Sequence, residues 1–185
     1  MAEYYLISQL PSLDGISENT PLPITEERFA ELCNRFLGKR AQEMLSKLTL
    51  SPPKNSEDSG SALTDSWNES ERNLRFALGK VRAEKMKKPF DTENRIFPVE
   101  YIKAASAAIE IENPLEAEKY LNSYRLEILE TLRPMDSFSE DYIFYYGLKL
   151  KLLLRIRQFD TKSGEKAYKN IYDSILNGDR LEAKQ

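Results

Sequence analysis

The sequence predicts an all-α protein, a multi-helix bundle of about seven helices with a short extended N-terminal segment. Three observations carry that prediction. Apolar residues recur at spacings of three and four through most of the 185 residues, capping residues stand in front of these stretches, and Gly or Pro closes many of them. A chain of this length holds one well-buried core, or a core with a smaller lobe. The expected division is an N-terminal extended segment and helical hairpin over 1–50, a flexible linker over 51–63, and a main helical bundle over 64–185 that forms one compact unit with 1–50.

Glu3 to Pro11 is rich in β-prone residues and ends at proline, so an extended segment is expected, laying Tyr5 and Ile7 on the core. Thr25 is a good N-cap for the first helix, because its hydroxyl accepts from an orphan amide while Glu26 and Glu27 face the positive helix end. Its apolar stripe is Phe29, Leu32, Cys33 and Phe36. Gly38 breaks the chain before a second amphipathic piece bearing Ala41, Met44, Leu45 and Leu48. The stretch from Ser51 to Ser61 contains paired prolines and nothing to bury, which marks a flexible connection. Thr64 or Asp65 then caps a long helix carrying Trp67, Leu74, Leu78 and Val81, which Pro89 stops near Lys87.

An alanine-rich helix follows, with Tyr101, Ile102, Ala105 and Ile109; its small side chains allow close helix approach. Asn113-Pro114-Leu115-Glu116 reads as N-cap, proline at N1 and glutamate at N3, and that helix ends before Pro134. Ser139 caps the next helix, which is apolar nearly all round from Tyr142 to Phe159 and therefore belongs in the middle of the bundle. Ser163 and Gly164 begin a last helix with Tyr168, Ile171, Tyr172 and Ile175, closed at Asn177-Gly178.

Composition narrows the chemistry. With no histidine and one cysteine, Cys33, the chain lacks imidazole bases, Ser-His-Asp or Cys-His nucleophiles and thiolate zinc sites. The seven glycines are scattered singly, so no phosphate-cradling loop or dinucleotide fingerprint exists. No cofactor or metal is expected, and the chain is read as no enzyme. What remains is carboxylate chemistry, densest at Glu110, Glu112, Glu116 and Glu118, where acids complement a helix start and the solvated structural reading is preferred. Cys33 on an apolar face reads as a buried, inert thiol. The single cysteine, the absence of an opening apolar signal and the lysines and arginines that interrupt the most apolar stretch point to a cytoplasmic protein.

The net charge of −3 gives no global attraction to phosphate or anionic lipid, so partners are argued from patches. From Glu71 to Lys88 the chain carries a net +5. Arg72, Arg75, Arg82 and Lys85 are the candidate protein-contact residues of this strip. Three readings stand: a solvated face, a docking strip for an acidic protein surface, or a nucleic-acid contact, the last with poor aromatic interleaving. Tyr142, Tyr145 and Tyr146 are read as core packing in preference to a partner-facing patch.

Four stretches carry a resemblance: Tyr4-Tyr-Leu-Ile-Ser-Gln-Leu-Pro-Ser-Leu, Leu74 to Lys85, Asn113-Pro-Leu-Glu-Ala-Glu-Lys-Tyr-Leu, and Tyr146 to Asp160. In combination the chain resembles a bacterial family of uncharacterised helical proteins encoded with the components of V-type rotary ATPases. Members of that family look like distant relatives of the funnel-shaped helical component that sits between the membrane rotor ring and the central stalk of those ATPases. The resemblance implies a non-catalytic adaptor linking stalk and rotor ring, with stalk and ring proteins as partners, no small-molecule substrate, and a position peripheral to the inner face of the plasma membrane. The alternative is a free-standing helical protein- or nucleic-acid-binding regulatory module.

Overall fold

A computed structural model describes residues 2–16, 20–52, 58–91, 98–158, 164 and 168–173. Among them the regular structure is helical throughout, in the order α1 (Ala2–Gln9), α2 (Glu26–Phe36), α3 (Lys39–Lys47), α4 (Ala62–Lys85), α5 (Val99–Glu110), α6 (Pro114–Thr131) and α7 (Glu140–Gln158). Residues 168–173 are also helical, and Tyr168, Ile171 and Tyr172 there are each more than half exposed. Phe159, Ser163, Ile175 and the stop at Asn177-Gly178 lie outside the described residues, as do 53–57 of the expected linker.

The first departure from expectation is α1, which is a helix and not an extended segment. Strand propensity in Tyr-Tyr-Leu-Ile gives way to tertiary burial: Leu6 is fully buried, and Ile7 and Leu10 pack on the same apolar cluster at helical spacing. Tyr5, expected on the core, is 57% exposed. Pro11 follows the helix and takes a hydrogen bond from the Tyr146 hydroxyl on its carbonyl at 2.8 Å.

The next elements form for the reasons their sequence suggests. The Thr25 hydroxyl accepts from the Arg28 amide at 3.2 Å, and Phe29, Leu32 and Cys33 are buried. Across the Gly38 break the Gln42 side-chain amide donates to the carbonyls of Asn34 (3.0 Å) and Leu37 (2.8 Å), so the hairpin of α2 and α3 is tied at its corner. Helix α4 starts earlier than predicted, because the cap is Ser61 and not Thr64 or Asp65. Its hydroxyl accepts from the Thr64 amide at 3.2 Å and donates to Asp141 Oδ1 at 2.7 Å, joining the starts of α4 and α7. The other end of α4 closes without proline. Lys87 takes φ +54°, and the amides of Lys87 and Lys88 donate to the carbonyls of Glu84 (3.0 Å) and Ala83 (2.9 Å). This is the Schellman arrangement, with a lysine where glycine is usual.

Helix α5 lies along α4 through small buried residues, Ala104, Ala105 and Ala108 on one side and Ala77 on the other. Asn113 Oδ1 accepts from the Leu115 amide at 2.9 Å, capping α6 with Pro114 at its start. Helix α7 is the hub. Every residue from Ile143 to Leu150 is buried, Tyr145 and Tyr146 included, which confirms core packing for those two tyrosines. The larger apolar cluster joins residues of 1–50 such as Phe29 and Leu48 to Trp67, Leu129 and Phe144, whereas a smaller one joins α4, α5 and α6 around Leu74, Tyr101 and Leu121.

Gly147 is what lets the α2–α3 hairpin approach the hub. A Cβ there would sit 3.1 Å from Leu48 Cδ2 and 3.2 Å from Phe29 Cε1. Both neighbours are buried core side chains with little room to move. Gly147→Val is therefore expected to destabilise the protein by roughly 1–3 kcal/mol or more through overpacking. Gly38→Ser, at a helix cap with nothing within 4 Å of the added Cβ, is expected to leave stability unchanged or raise it. Thermal unfolding of the two variants checks the contrast.

Candidate functional site

The four predicted contact residues all lie on α4, but the fold uses them differently. Arg75 is committed inward: its Nε donates to Glu71 Oε1 at 2.8 Å, and a terminal nitrogen donates to the Leu50 carbonyl (3.2 Å) and the Ser51 hydroxyl (3.0 Å). It fastens the chain leaving α3 to the side of α4. Lys85 donates to the Ile109 carbonyl at 3.1 Å, satisfying an orphan acceptor at the end of α5. Arg72 is half-buried and Arg82 exposed, and neither guanidinium has an ion-pair or hydrogen-bond partner among the described residues.

These two arginines do not form a continuous strip, because the chain after α4 folds back. Phe90 packs edge-on against Phe76 at 4.9 Å and lies so close to Gly79 that a Cβ there would meet its ring at 3.0 Å. Phe76 and Gly79 lie one and two turns on from Arg72, so Phe90 covers the face between the arginines. Exposed cations instead gather at the C-terminal tip: Arg82, Lys87 and Lys88 surround Met86, which is 58% exposed. Lys80 is drawn off toward Glu84 at 4.0 Å. Sequence reasoning counted Lys87 and Lys88 in the basic run but did not name them among the contact residues.

It also missed a buried ionic layer. Glu71, counted as part of the strip, is 2% exposed and faces Arg125 of α6, itself 6% exposed. Arg125 Nε donates to Glu71 Oε2 at 2.9 Å and a terminal nitrogen to Oε1 at 3.2 Å, while its other terminal nitrogen donates to Asn122 Oδ1 at 3.1 Å. Glu118 lies 3.6 Å from Arg125 and accepts from Arg155 of α7 at 2.6 Å. Through Arg75 the chain of bonds thus runs from Leu50 and Ser51 across α4 and α6 to α7. Its signal is present in the sequence: Glu71 interrupts the stripe from Trp67 to Leu74, and Arg125 interrupts the stripe from Leu121 to Leu129, two opposite charges at core positions.

A second cluster surrounds Lys149 on the hub helix. Its ammonium lies 2.5 Å from Asp14 Oδ1 and 2.6 Å from Glu130 Oε1, and it donates to the Tyr145 hydroxyl at 3.3 Å. Burial alone would lower the lysine pKa, but the bonds to Asp14 and Glu130 overcome it and hold the group above its ordinary range. Asp14 is held below the usual carboxylate range, chiefly by the hydrogen bond from Lys149. Arg133 lies 5.8 Å and 5.7 Å from the ring centroids of Tyr142 and Tyr145, and 3.7 Å from Asp14. Asp14, Arg133, Tyr142, Tyr145 and Lys149 border an open cleft of about 250 Å³ whose apolar wall includes Ile7, Leu10 and Leu13.

Glu116 pairs with Lys119 at 3.4 Å, Glu118 serves the ionic layer, and Glu110 and Glu112 are exposed, so the acidic run is divided among structural and solvated roles. Burial pushes the Cys33 thiol up to about 12, and the side chain has no exposed surface, as an inert thiol requires. Among the described residues no group of three potential metal ligands comes together, and no helix is long and apolar enough to cross a membrane.

Two outcomes follow from the charged layers. Arg125→Met leaves Glu71 buried with only the side-on Arg75 for company and is expected to cost about 3–5 kcal/mol. The double variant Glu71→Leu/Arg125→Met is expected to recover most of that loss, and urea unfolding of the single and double variants measures it. For Asp14 the folded pKa is depressed, so its stabilisation is complete above the ordinary aspartate value of about 3.9 and is lost as pH falls through the lower folded value. Asp14→Asn is accordingly expected to flatten the acid limb of stability, read as urea midpoints between about pH 5 and about pH 2.

Residues 90–179 match the sequence model of a family described as "Protein of unknown function (DUF2764)", a span that takes in α5, α6 and α7 with Arg125 and Lys149. No curated protein and no solved structure matches the chain.

Proposed function

We propose that this chain is a non-catalytic adaptor that binds an acidic protein surface through the tip of α4. The observation that carries the reading is the division of labour among its cations. Arg75, Lys85, Arg125, Lys149 and Arg155 are each paired within the fold, whereas Arg82, Lys87 and Lys88 stand exposed around Met86 without such side-chain partners among the described residues. Exposed cations clustered around an apolar side chain are suited to steering and then anchoring an acidic partner. Lys87 adds a second support: it occupies a left-handed position that glycine fills at lower cost, with its charge displayed at the helix end.

On the resemblance of its four sequence stretches, the partner assembly is a bacterial V-type ATPase, in which the chain works as a mechanical link between the central stalk and the membrane rotor ring. A helix that stays rigid under load suits that work, and the buried layer bracing α4 to α6 and α7 supplies the rigidity.

Mild purification of the ATPase from its native host is the test. The chain is expected to co-migrate with stalk or ring proteins, and Arg82→Glu/Lys87→Glu/Lys88→Glu is expected to weaken that association by roughly a hundred-fold without unfolding the protein. Failure to co-migrate ends the ATPase assignment. Oligonucleotide binding that falls steeply between low and physiological salt, and disappears in the same triple variant, replaces the acidic protein by nucleic acid.

A further inference from the structure

An adaptor needs a second contact surface, and three aromatic side chains far from the basic tip supply one. Tyr4, Tyr5 and Phe138 are 55%, 57% and 51% exposed, and the Tyr4 ring lies 6.0 Å from that of Tyr5 and 5.1 Å from that of Phe138. Three such rings leave roughly 300 Å² of contiguous aromatic surface in water, the scale of an interface centre and less than a whole interface. Helix α1 is anchored on the core by Leu6, which is fully buried, while the two tyrosines leave more than half of their surface to water.

The patch continues into the 250 Å³ cleft. Ile7, one turn on from Tyr4, and Tyr142, four residues on from Phe138, both line it. A partner lying across Tyr4 and Phe138 therefore has a recess within reach for one anchoring side chain. The charges at the rim are acidic. Asp136 and Glu140 stand exposed on either side of Phe138, and Asp136 is fixed there by accepting the Phe138 amide at 2.9 Å. The nearby cations, Arg133 and Lys149, are taken up by Asp14, Glu130 and the tyrosine rings.

The patch and the basic tip lie at opposite ends of one rigid element. The Ser61–Asp141 hydrogen bond joins the start of α4 to the start of α7, just beyond Phe138, while the 24 residues of α4 carry the tip about 36 Å away.

We propose that this aromatic face docks a helical segment of a partner protein, apolar along one side and flanked by lysine or arginine. The inference rests on the adaptor reading and extends it, giving the molecule two ends of opposite charge preference. Helix-in-groove docking uses such an apolar stripe, and the acidic rim selects the flanking charge. The same rim disfavours an anionic lipid surface, and also a second copy meeting this face with its own.

Two labelled synthetic helices of about 18 residues test it, each with leucine along one face, one with lysine and the other with glutamate on the remainder. Fluorescence anisotropy with the full chain is expected to show the lysine helix binding at least roughly ten-fold more tightly than the glutamate helix. Tyr4→Ser and Phe138→Ser, each checked for an unchanged helical circular-dichroism spectrum, are each expected to weaken it by roughly ten-fold. The Arg82→Glu/Lys87→Glu/Lys88→Glu variant is expected to bind the lysine helix as the parent does, so failure at one end is distinguishable from failure at the other. Equal binding of the two helices, no binding, or binding indifferent to Tyr4→Ser and Phe138→Ser overturns the proposal. Self-association of the chain abolished by Tyr4→Ser overturns it in favour of a second copy, and vesicle binding abolished by the same change overturns it in favour of lipid.

Discussion

The buried pair of Glu71 and Arg125 fixes how the bundle is put together. Taking both groups out of water costs several kcal/mol per ion, and that cost is offset only if the geometry satisfies nearly every donor and acceptor. Here both carboxylate oxygens accept from Arg125, Asn122 takes another of its hydrogens, and Arg75 closes the side of Glu71 that faces the chain after α3. Sliding α4 against α6 by one turn would leave a buried carboxylate facing leucine. Of the ways two amphipathic helices meet, the pair therefore admits one register, and it does so where the apolar core is interrupted, with Trp67 and Leu129 on one side and Leu74 and Leu121 on the other.

The hub helix solves a related problem. A segment buried on all sides cannot place its polar residues in water, so Lys149 is met by two carboxylates from other parts of the chain, Asp14 after α1 and Glu130 near the end of α6. Neither contact is local in sequence, and together they draw the N-terminal loop and the end of α6 onto α7. Gly147 works by the opposite means two residues away, removing a side chain so that Phe29 and Leu48 reach the helix surface. Among the described residues every fully buried side-chain nitrogen and oxygen has a partner, which is what such a polar core demands.

Local signals are legible in the sequence and long-range ones are not. Thr25 and Asn113 cap as their types and neighbours require, and the all-round apolar character of Ile143 to Leu150 is sufficient to place α7 at the centre. Helix α1 escapes because eight residues with strand-prone side chains give a weak local preference, which the burial of Leu6 outweighs. Ser61 is hidden as a cap because its second bond, to Asp141, is 80 residues away. The end of α4 near Lys87 is legible, but it is made by a left-handed backbone position that lysine type does not announce, before Pro89 is reached. In the basic strip, helical spacing correctly puts Arg75 near the helix surface and gives no hint that Leu50 and Ser51 are waiting there.

That last failure bears on how charge in helical proteins is converted into function. A run of cations on one helix mixes residues that hold the fold with residues that meet a partner, and net charge cannot separate them. Pairing can. Once Arg75 and Lys85 are assigned to carbonyls and Lys80 to Glu84, the contact surface proposed above shrinks from the length of α4 to its tip. A tip is a different mechanical object from a strip. Binding along the side of α4 would leave the helix free to pivot about its contacts, whereas binding at its end sends force along the axis. Under the proposed adaptor role, the ionic layer that ties α4 to α6 and α7 is what would oppose displacement of α4 along its axis.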